Sequence, residues 1–184
     1  MDPQAPPVVA LLVGLPGAGK TTLARALRAG FGGQIISRDW IRDAIFPEAF
    51  LDYSQAQNQI GTDVMYQVLG YVLKHHRPRF LIIDGKPFSR ASEIGEVLAL
   101  GARCGARMRV IHCTAPLETI HQRLREGLSE PVNRRAERTP EKATRVHAAF
   151  EAITVPHLRV DMTAPLETVL AEVAACCGLV PGGS

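Results

Sequence analysis

The sequence predicts an α/β fold of three layers: a five-stranded parallel sheet covered by helices on both faces. Two observations predict it. Five short apolar runs alternate with helix-length segments from end to end, which is the order of a doubly wound parallel sheet. The first run, Val8–Val13, leads straight into a glycine-rich turn and then a helical pattern, as a buried strand does when it hands over to a helix.

The remaining runs are Gln34–Ser37, Phe80–Asp84, Met108–Cys113 and Leu158–Asp161. They are nearly continuous in apolar character, as expected of strands buried on both faces. Helices are expected near Lys20–Ala29, Ser54–His75, Ser89–Cys104, Pro116–Glu126, Pro140–Ile153 and Pro165–Cys176, with a short helical turn beginning near Trp40. Thr139-Pro140-Glu141 supplies a cap, a proline at the first helical position and an acid in the first turn. Thr114-Ala115-Pro116-Leu117-Glu118-Thr119 recurs as Thr163-Ala164-Pro165-Leu166-Glu167-Thr168, each copy following a strand. The two copies predict the same capping chemistry used twice. Pro47–Tyr53 reads as a loop. Gly127–Arg138 is polar and carries Arg134, Arg135 and Arg138, just after Arg123 and Arg125. It is either a small basic lid over about 123–138 or a solvated charged loop. Met1–Pro7 and Val180–Ser184 read as loose tails.

The chain, 184 residues, is long enough for one domain over 1–184 with a sizeable core. Its net charge of +3 is too small to announce a nucleic-acid binder. None of Cys104, Cys113, Cys176 and Cys177 pairs into metal-ligand spacing, which fits packing roles and a reduced, cytoplasmic setting. The N-terminus lacks the basic region of a signal peptide, and Val8–Leu15 is too short to span a bilayer, so no membrane partner is expected. The aromatics form no stacking row for single-stranded nucleic acid.

The segment that carries chemistry is Gly14-Leu15-Pro16-Gly17-Ala18-Gly19-Lys20-Thr21, a complete Walker A pattern between a strand and a helix. Gly17 and Gly19 allow backbone turns that a side chain would block. The N–H groups then form an anion nest, reinforced by the positive end of the helix that follows. Lys20 supplies charge for the β- and γ-phosphates, and Thr21 a hydroxyl for Mg²⁺. With Thr22, these residues form the candidate site for ATP and Mg²⁺, and the fold they imply is that of the P-loop NTPases.

Other candidates follow from position, because loops after the strand C-termini face the ligand crevice of such a sheet. Asp39, after the second strand, either accepts the proton of an attacking hydroxyl or caps a helix. Arg42, one turn on, can clamp an anionic substrate group. Asp84 closes the third strand, either as a Walker B acid for Mg²⁺ or as a turn residue before Gly85. Lys86 and Arg90 follow as candidate substrate contacts. Arg123, with Arg125, either stabilises charge on the transferred phosphoryl group or partners a helix C-terminus.

Together these residues resemble the small P-loop kinases related to polynucleotide kinase, zeta-toxin kinases and chloramphenicol phosphotransferase, over about Val8 to Val173. Beyond Walker A, the telling piece is Ser37-Arg38-Asp39-Trp40-Ile41-Arg42, similar to the polynucleotide-kinase pattern of Arg-Asp, two residues, then Arg. The resemblance implies a general-base role for Asp39, a substrate-phosphate contact for Arg42, and an adenine site near Thr163 after the last strand. It also extends to Ala115-Pro116 and a helix reaching Arg123. Glu126 stands where the family's lid places a second arginine, and the chain has no room for a phosphatase domain. Asp84-Gly85-Lys86-Pro87-Phe88 departs from the polynucleotide-kinase continuation. The expected activity is transfer of the γ-phosphoryl group of ATP to a hydroxyl of a small molecule. The 5′-hydroxyl of a nucleic acid is the alternative acceptor. An acceptor-free ATPase or switch is the alternative of another class, although no signature of an oligomer interface or partner surface stands out.

Overall fold

The computed structural model describes residues 5–127 and 138–180. In chain order its elements are β1 (Val8–Val13), α1 (Lys20–Phe31), β2 (Gln34–Ser37), α2 (Arg38–Ile45), a 3-10 turn (Glu48–Phe50), α3 (Gln55–His75), β3 (Phe80–Asp84), α4 (Ala91–Arg103), β4 (Arg107–Thr114), α5 (Leu117–Glu126), α6 (Pro140–Ala148), β5 (His157–Asp161) and α7 (Leu166–Cys177). The strands form one parallel sheet in the order β2-β3-β1-β4-β5. This is the three-layer α/β fold that the sequence predicts, and each strand lies on an apolar run. No helix among the described residues is long and apolar enough to cross a membrane.

The central strand explains why its own run is continuous, whereas the edge strand β5 alternates and buries only Val160. Along β1, Val8, Ala10 and Leu12 join one core cluster, while Val9, Leu11 and Val13 join the other. Leu23 and Leu27 of α1 and Val169 and Val173 of α7 cover the first face. Met65, Leu69 and Leu73 of α3, with Ile94 and Val97 of α4, cover the second. Each such side chain contributes roughly 1.5–3 kcal/mol on leaving water, so a strand buried on both faces has no room for polar alternation.

Four local features differ from expectation. Helix α2 begins at Arg38, directly after β2 and without a loop. Helix α6 stops at Ala148, not near Ile153. Phe150 stacks on His112 at 5.6 Å, and Glu151 N–H donates to the Ser89 carbonyl, so the chain leaves helical geometry to reach these partners. The two repeated segments do start helices alike, with Pro116 and Pro165 at the N-cap in nearly the same conformation, but no side chain caps either. Thr114 donates instead to the Val160 carbonyl, and Thr163 to Asp161. Pro7 is not a loose tail: it is buried, and its carbonyl accepts from Arg107 N–H at 2.7 Å.

The strand register sets the cleft. Ser37 of β2 lies beside Asp84 of β3, and Val13 of β1 beside His112 of β4. β2 and β3 therefore end level, next to the turn that leaves β1. That end of the sheet is where the chain reverses direction across the strand order, the usual ligand crevice of an open parallel sheet.

Candidate active site

One cleft of about 1030 Å³ runs along the C-terminal ends of the strands. Its first end is made by the turn from β1 to α1. Gly17 and Gly19 have φ of 81° and 99°, values that L side chains rarely adopt. Gly19 is the N-cap of α1, and no side chain caps the helix, so its first N–H groups are available to an anion. Pro16, Gly17, Gly19, Lys20, Thr21 and Thr22 line the cleft. Gly14, Leu15 and Ala18 shape the loop from behind, with Ala18 N–H donating to the Leu15 carbonyl at 3.1 Å.

Lys20 is folded over this loop, and its Nζ donates to the carbonyls of Gly14 (2.7 Å) and Leu15 (2.8 Å). Burial pulls the ammonium below the ordinary lysine range, while the charge of Asp84 opposes that shift. Thr21 Oγ1 donates to Asp84 Oδ2 at 2.8 Å. Asp84 is 1% exposed, and its Oδ1 has no hydrogen-bond partner among the described residues. A hydroxyl oxygen beside a buried carboxylate with a spare oxygen is a fitting donor set for Mg²⁺, a hard cation that takes oxygen ligands and keeps several waters. Cys113 lies behind the loop, and burial pushes its thiol up to about 12, so it has no nucleophilic role there.

Arg123 closes the same end, donating from Nη2 to the Met162 carbonyl at 2.8 Å. Met162 and Ala164 line the cleft. Between them, Thr163 turns its N–H (2.9 Å) and hydroxyl (2.7 Å) to Asp161 Oδ1. Arg125 and Arg138 also line the cleft. Arg134 and Arg135 lie outside the described residues.

The second end is built from α2, α3 and the turn after β3. Ser37 caps α2, its Oγ accepting from Trp40 N–H. The cap is therefore Ser37, and Asp39 is left in the first turn with its carboxylate on the cleft. Asp39 Oδ1 accepts from Arg38 Nη2 at 2.6 Å and lies 3.5 Å from Arg42 Nη1, while Oδ2 lies 3.6 Å from Arg138. Arg42 is 1% exposed. Its guanidinium donates to Asn58 (2.6 Å) and Asp43 (3.0 Å) and sits 4.4 Å over the Tyr53 ring. Arg42 is thus buried against Asp39, Asp43 and Asn58 and is not among the residues that line the cleft.

Asp84 is followed by Gly85 at φ 91°, where a Cβ would come within 2.8 Å of Asp39 N and of Ser37 Oγ. Only glycine lets the β3 turn pass this close under α2. Lys86 pairs with Glu93 at 3.2 Å. Arg90 forms the N-cap of α4 and is exposed at the cleft. Gly14 N–H donates to the Pro87 carbonyl at 3.0 Å, joining the two ends of the cleft through their backbones.

One wall of the cleft belongs to no motif of the sequence. Gln55, Asn58, Gln59 and Thr62 of α3 line the cleft, and their spacing puts them on one helical face. The signal was there, as amides at i, i+3 and i+4, but a polar helix start looks the same when it faces solvent.

Residues 9–151 match the AAA domain family, and the chain belongs to it. No curated protein matches the chain. Among solved structures, it is similar to a proposed kinase of Chloroflexus aurantiacus, at 17% identity over 94% of this chain and 99% of the other, with a TM-score of 0.71. It is similar to the Mycobacterium tuberculosis APS kinase CysC in complex with AMPPNP and APS, at 20% identity over 93% and 97%, with a TM-score of 0.66. A gluconokinase of Sinorhizobium meliloti matches at 13% identity over 94% and 92%, with a TM-score of 0.66. These likenesses share the fold of P-loop kinases across nearly the whole chain.

Proposed function

We propose that the protein is a cytoplasmic kinase that transfers the γ-phosphoryl group of ATP to a hydroxyl of a small molecule. The observation that carries this reading is the position of Asp39. It faces the same cleft as Lys20, Thr21 and Asp84 but stands on the acceptor side, released from capping by Ser37. An ATPase needs a positioned water, whereas this cleft continues past Asp39 into a polar pocket. The kinases among the structural neighbours support the same class. The Arg38-Asp39 and Arg42 spacing supports the finer kinship with polynucleotide-kinase-like enzymes, and four free cysteines suit a reducing compartment.

In this mechanism the N–H groups at the start of α1 and the Lys20 ammonium hold the triphosphate. Thr21 and Asp84 would hold Mg²⁺, which when bound offsets charge on the phosphate oxygens. Asp39 orients the acceptor hydroxyl and takes its proton as the oxygen attacks phosphorus in line. The bond from the γ-phosphorus to the bridging oxygen breaks, and ADP leaves with that electron pair. Arg38 and Arg42 hold Asp39 by its Oδ1, leaving Oδ2 towards Arg138 and the cleft. Arg123, tied to the Met162 carbonyl at the nucleotide end of the cleft, stabilises charge on the transferred phosphoryl group. The test is transfer from γ-labelled ATP with Mg²⁺ to a small-metabolite pool beside a 5′-hydroxyl oligonucleotide. Label on a metabolite, absent with Lys20→Ala, is the expected result. Label on the oligonucleotide alone would replace the acceptor class, and label in inorganic phosphate alone would overturn the kinase reading.

A further inference from the structure

The acceptor end of the cleft has a distinctive chemistry. Gln55, Asn58, Gln59 and Thr62 form a polar wall from α3. Asn58 is spent on Arg42 and on the Tyr53 carbonyl. Gln59 gives one N–H to Asp63 and keeps its carbonyl oxygen, and Thr62 donates to the Asn58 carbonyl but retains acceptor capacity. Gln55 and Gln59 are thus the amides placed to exchange hydrogen bonds with a ligand. Lys86, Arg90 and Glu93 line the same cleft. Lys86 is held by Glu93, while the Arg90 guanidinium enters no ion pair among the described residues.

What the cleft lacks is equally specific. Among the described residues, no Phe, Tyr, Trp or His lines it. Residues 128–137 contain no aromatic residue or histidine either. ATP is anchored by its triphosphate in the loop after β1, but a nucleobase or aromatic acceptor has no such anchor here and would depend on stacking, for which no ring among the described residues lines the cleft. Amides, a guanidinium and an ammonium lining one cleft suit hydroxyls and an anion.

Building on the kinase reading, we propose that the acceptor is an aliphatic, polyhydroxylated molecule with an anionic group of its own, carboxylate or phosphate. Arg90, with Lys86 beside it, binds that anion. Gln55 and Gln59 bind its hydroxyls and turn one of them towards Asp39.

The product reveals the acceptor's class before its identity is known. The protein is incubated with γ-labelled ATP, Mg²⁺ and a metabolite pool, and labelled products are separated by anion exchange with ultraviolet detection. The expected product is transparent above 250 nm and carries a second anionic group besides the labelled phosphoryl: a carboxylate that survives phosphatase, or a second, unlabelled phosphate released together with the label. Matched probes then separate the anions: an aldonate, its neutral alditol and the alditol monophosphate. Arg90→Ala should raise the KM of the anionic acceptor by about 10–100-fold, the loss of one charge-assisted contact, and leave the KM for ATP within about twofold. Arg90→Lys should recover part of that loss. A product that absorbs near 260 nm, a product with no anionic group besides the labelled phosphoryl, or an acceptor KM indifferent to Arg90→Ala would overturn the proposal while leaving the kinase reading intact. Label in inorganic phosphate alone would sink the kinase reading itself.

Discussion

At the nucleotide end of the cleft, one continuous segment from Gly14 to Thr22 supplies the backbone turns, the cation and the hydroxyl. At the acceptor end, Asp39 comes from α2, Gln55 and Gln59 from α3, Lys86 from the turn after β3, and Arg90 from the start of α4. The first end is a local structure whose spacing is fixed by a strand, a tight loop and a helix. The second exists only once β2 and β3 lie level and α3 has packed against α2. The nucleotide end therefore depends on one segment, and the proposed acceptor end on the packing of several.

The contrast predicts different kinds of failure. Lys20→Ala should lower kcat by about 10²–10³-fold, the size expected for losing a preorganised charge at the phosphates, with the thermal unfolding midpoint nearly unchanged. Arg42→Ala should act the other way. Its guanidinium is buried among Asp39, Asp43 and Asn58, so its loss strands carboxylates and should cost about 3 kcal/mol of stability in urea titration. Binding of an ATP analogue to the folded fraction should survive. If Arg42→Ala instead left stability intact and raised only the acceptor KM, the arginine would be a substrate clamp after all.

The same contrast governs how much could be read from residues alone. The Walker A segment and the five strands were legible because each is local: a spacing, or an unbroken apolar run. Asp84 was legible as the end of such a run. That Asp39 is not the cap of α2 was not, because the cap falls two residues earlier, on Ser37. The choice rests on α2 starting directly at the end of β2. Arg42 was placed correctly one turn from Asp39, but its burial depends on Asn58 and Tyr53, more than ten residues on. The end of α6 was hidden because the periodicity continues to Ile153, whereas Phe150 is drawn away by His112.

That last region gives the smaller tests. Burial, with help from His157 and Arg159, lowers the His112 pKa to about 4 from an ordinary 6.5. The unfolded chain then binds the proton more readily, so this contribution is intact above pH 6.5 and is lost as pH falls towards 4. Between pH 7 and pH 5 the protein should lose on the order of 1–2 kcal/mol through this group. His112→Phe should remove that part of the pH dependence in chemical denaturation, and an unchanged slope would contradict it. Thr139 caps α6 by accepting from Lys142 N–H at 3.2 Å. Thr139→Ala should cost about 1 kcal/mol, visible as a lowered unfolding midpoint. Because Arg138 joins α6 to Asp39, kcat should fall more than the KM for ATP rises.

The most direct test of the proposed chemistry is single-turnover transfer by Asp39→Asn, with affinity for ATP measured on the same preparation. ATP affinity should stay within about threefold of the wild-type protein, and transfer should slow by about 10²–10⁴-fold, the span of a positioned general base. Transfer at a near wild-type rate would contradict it, leaving Asp39 as a structural partner of Arg38 and Arg42 and returning the search for the base to the other side chains of the cleft.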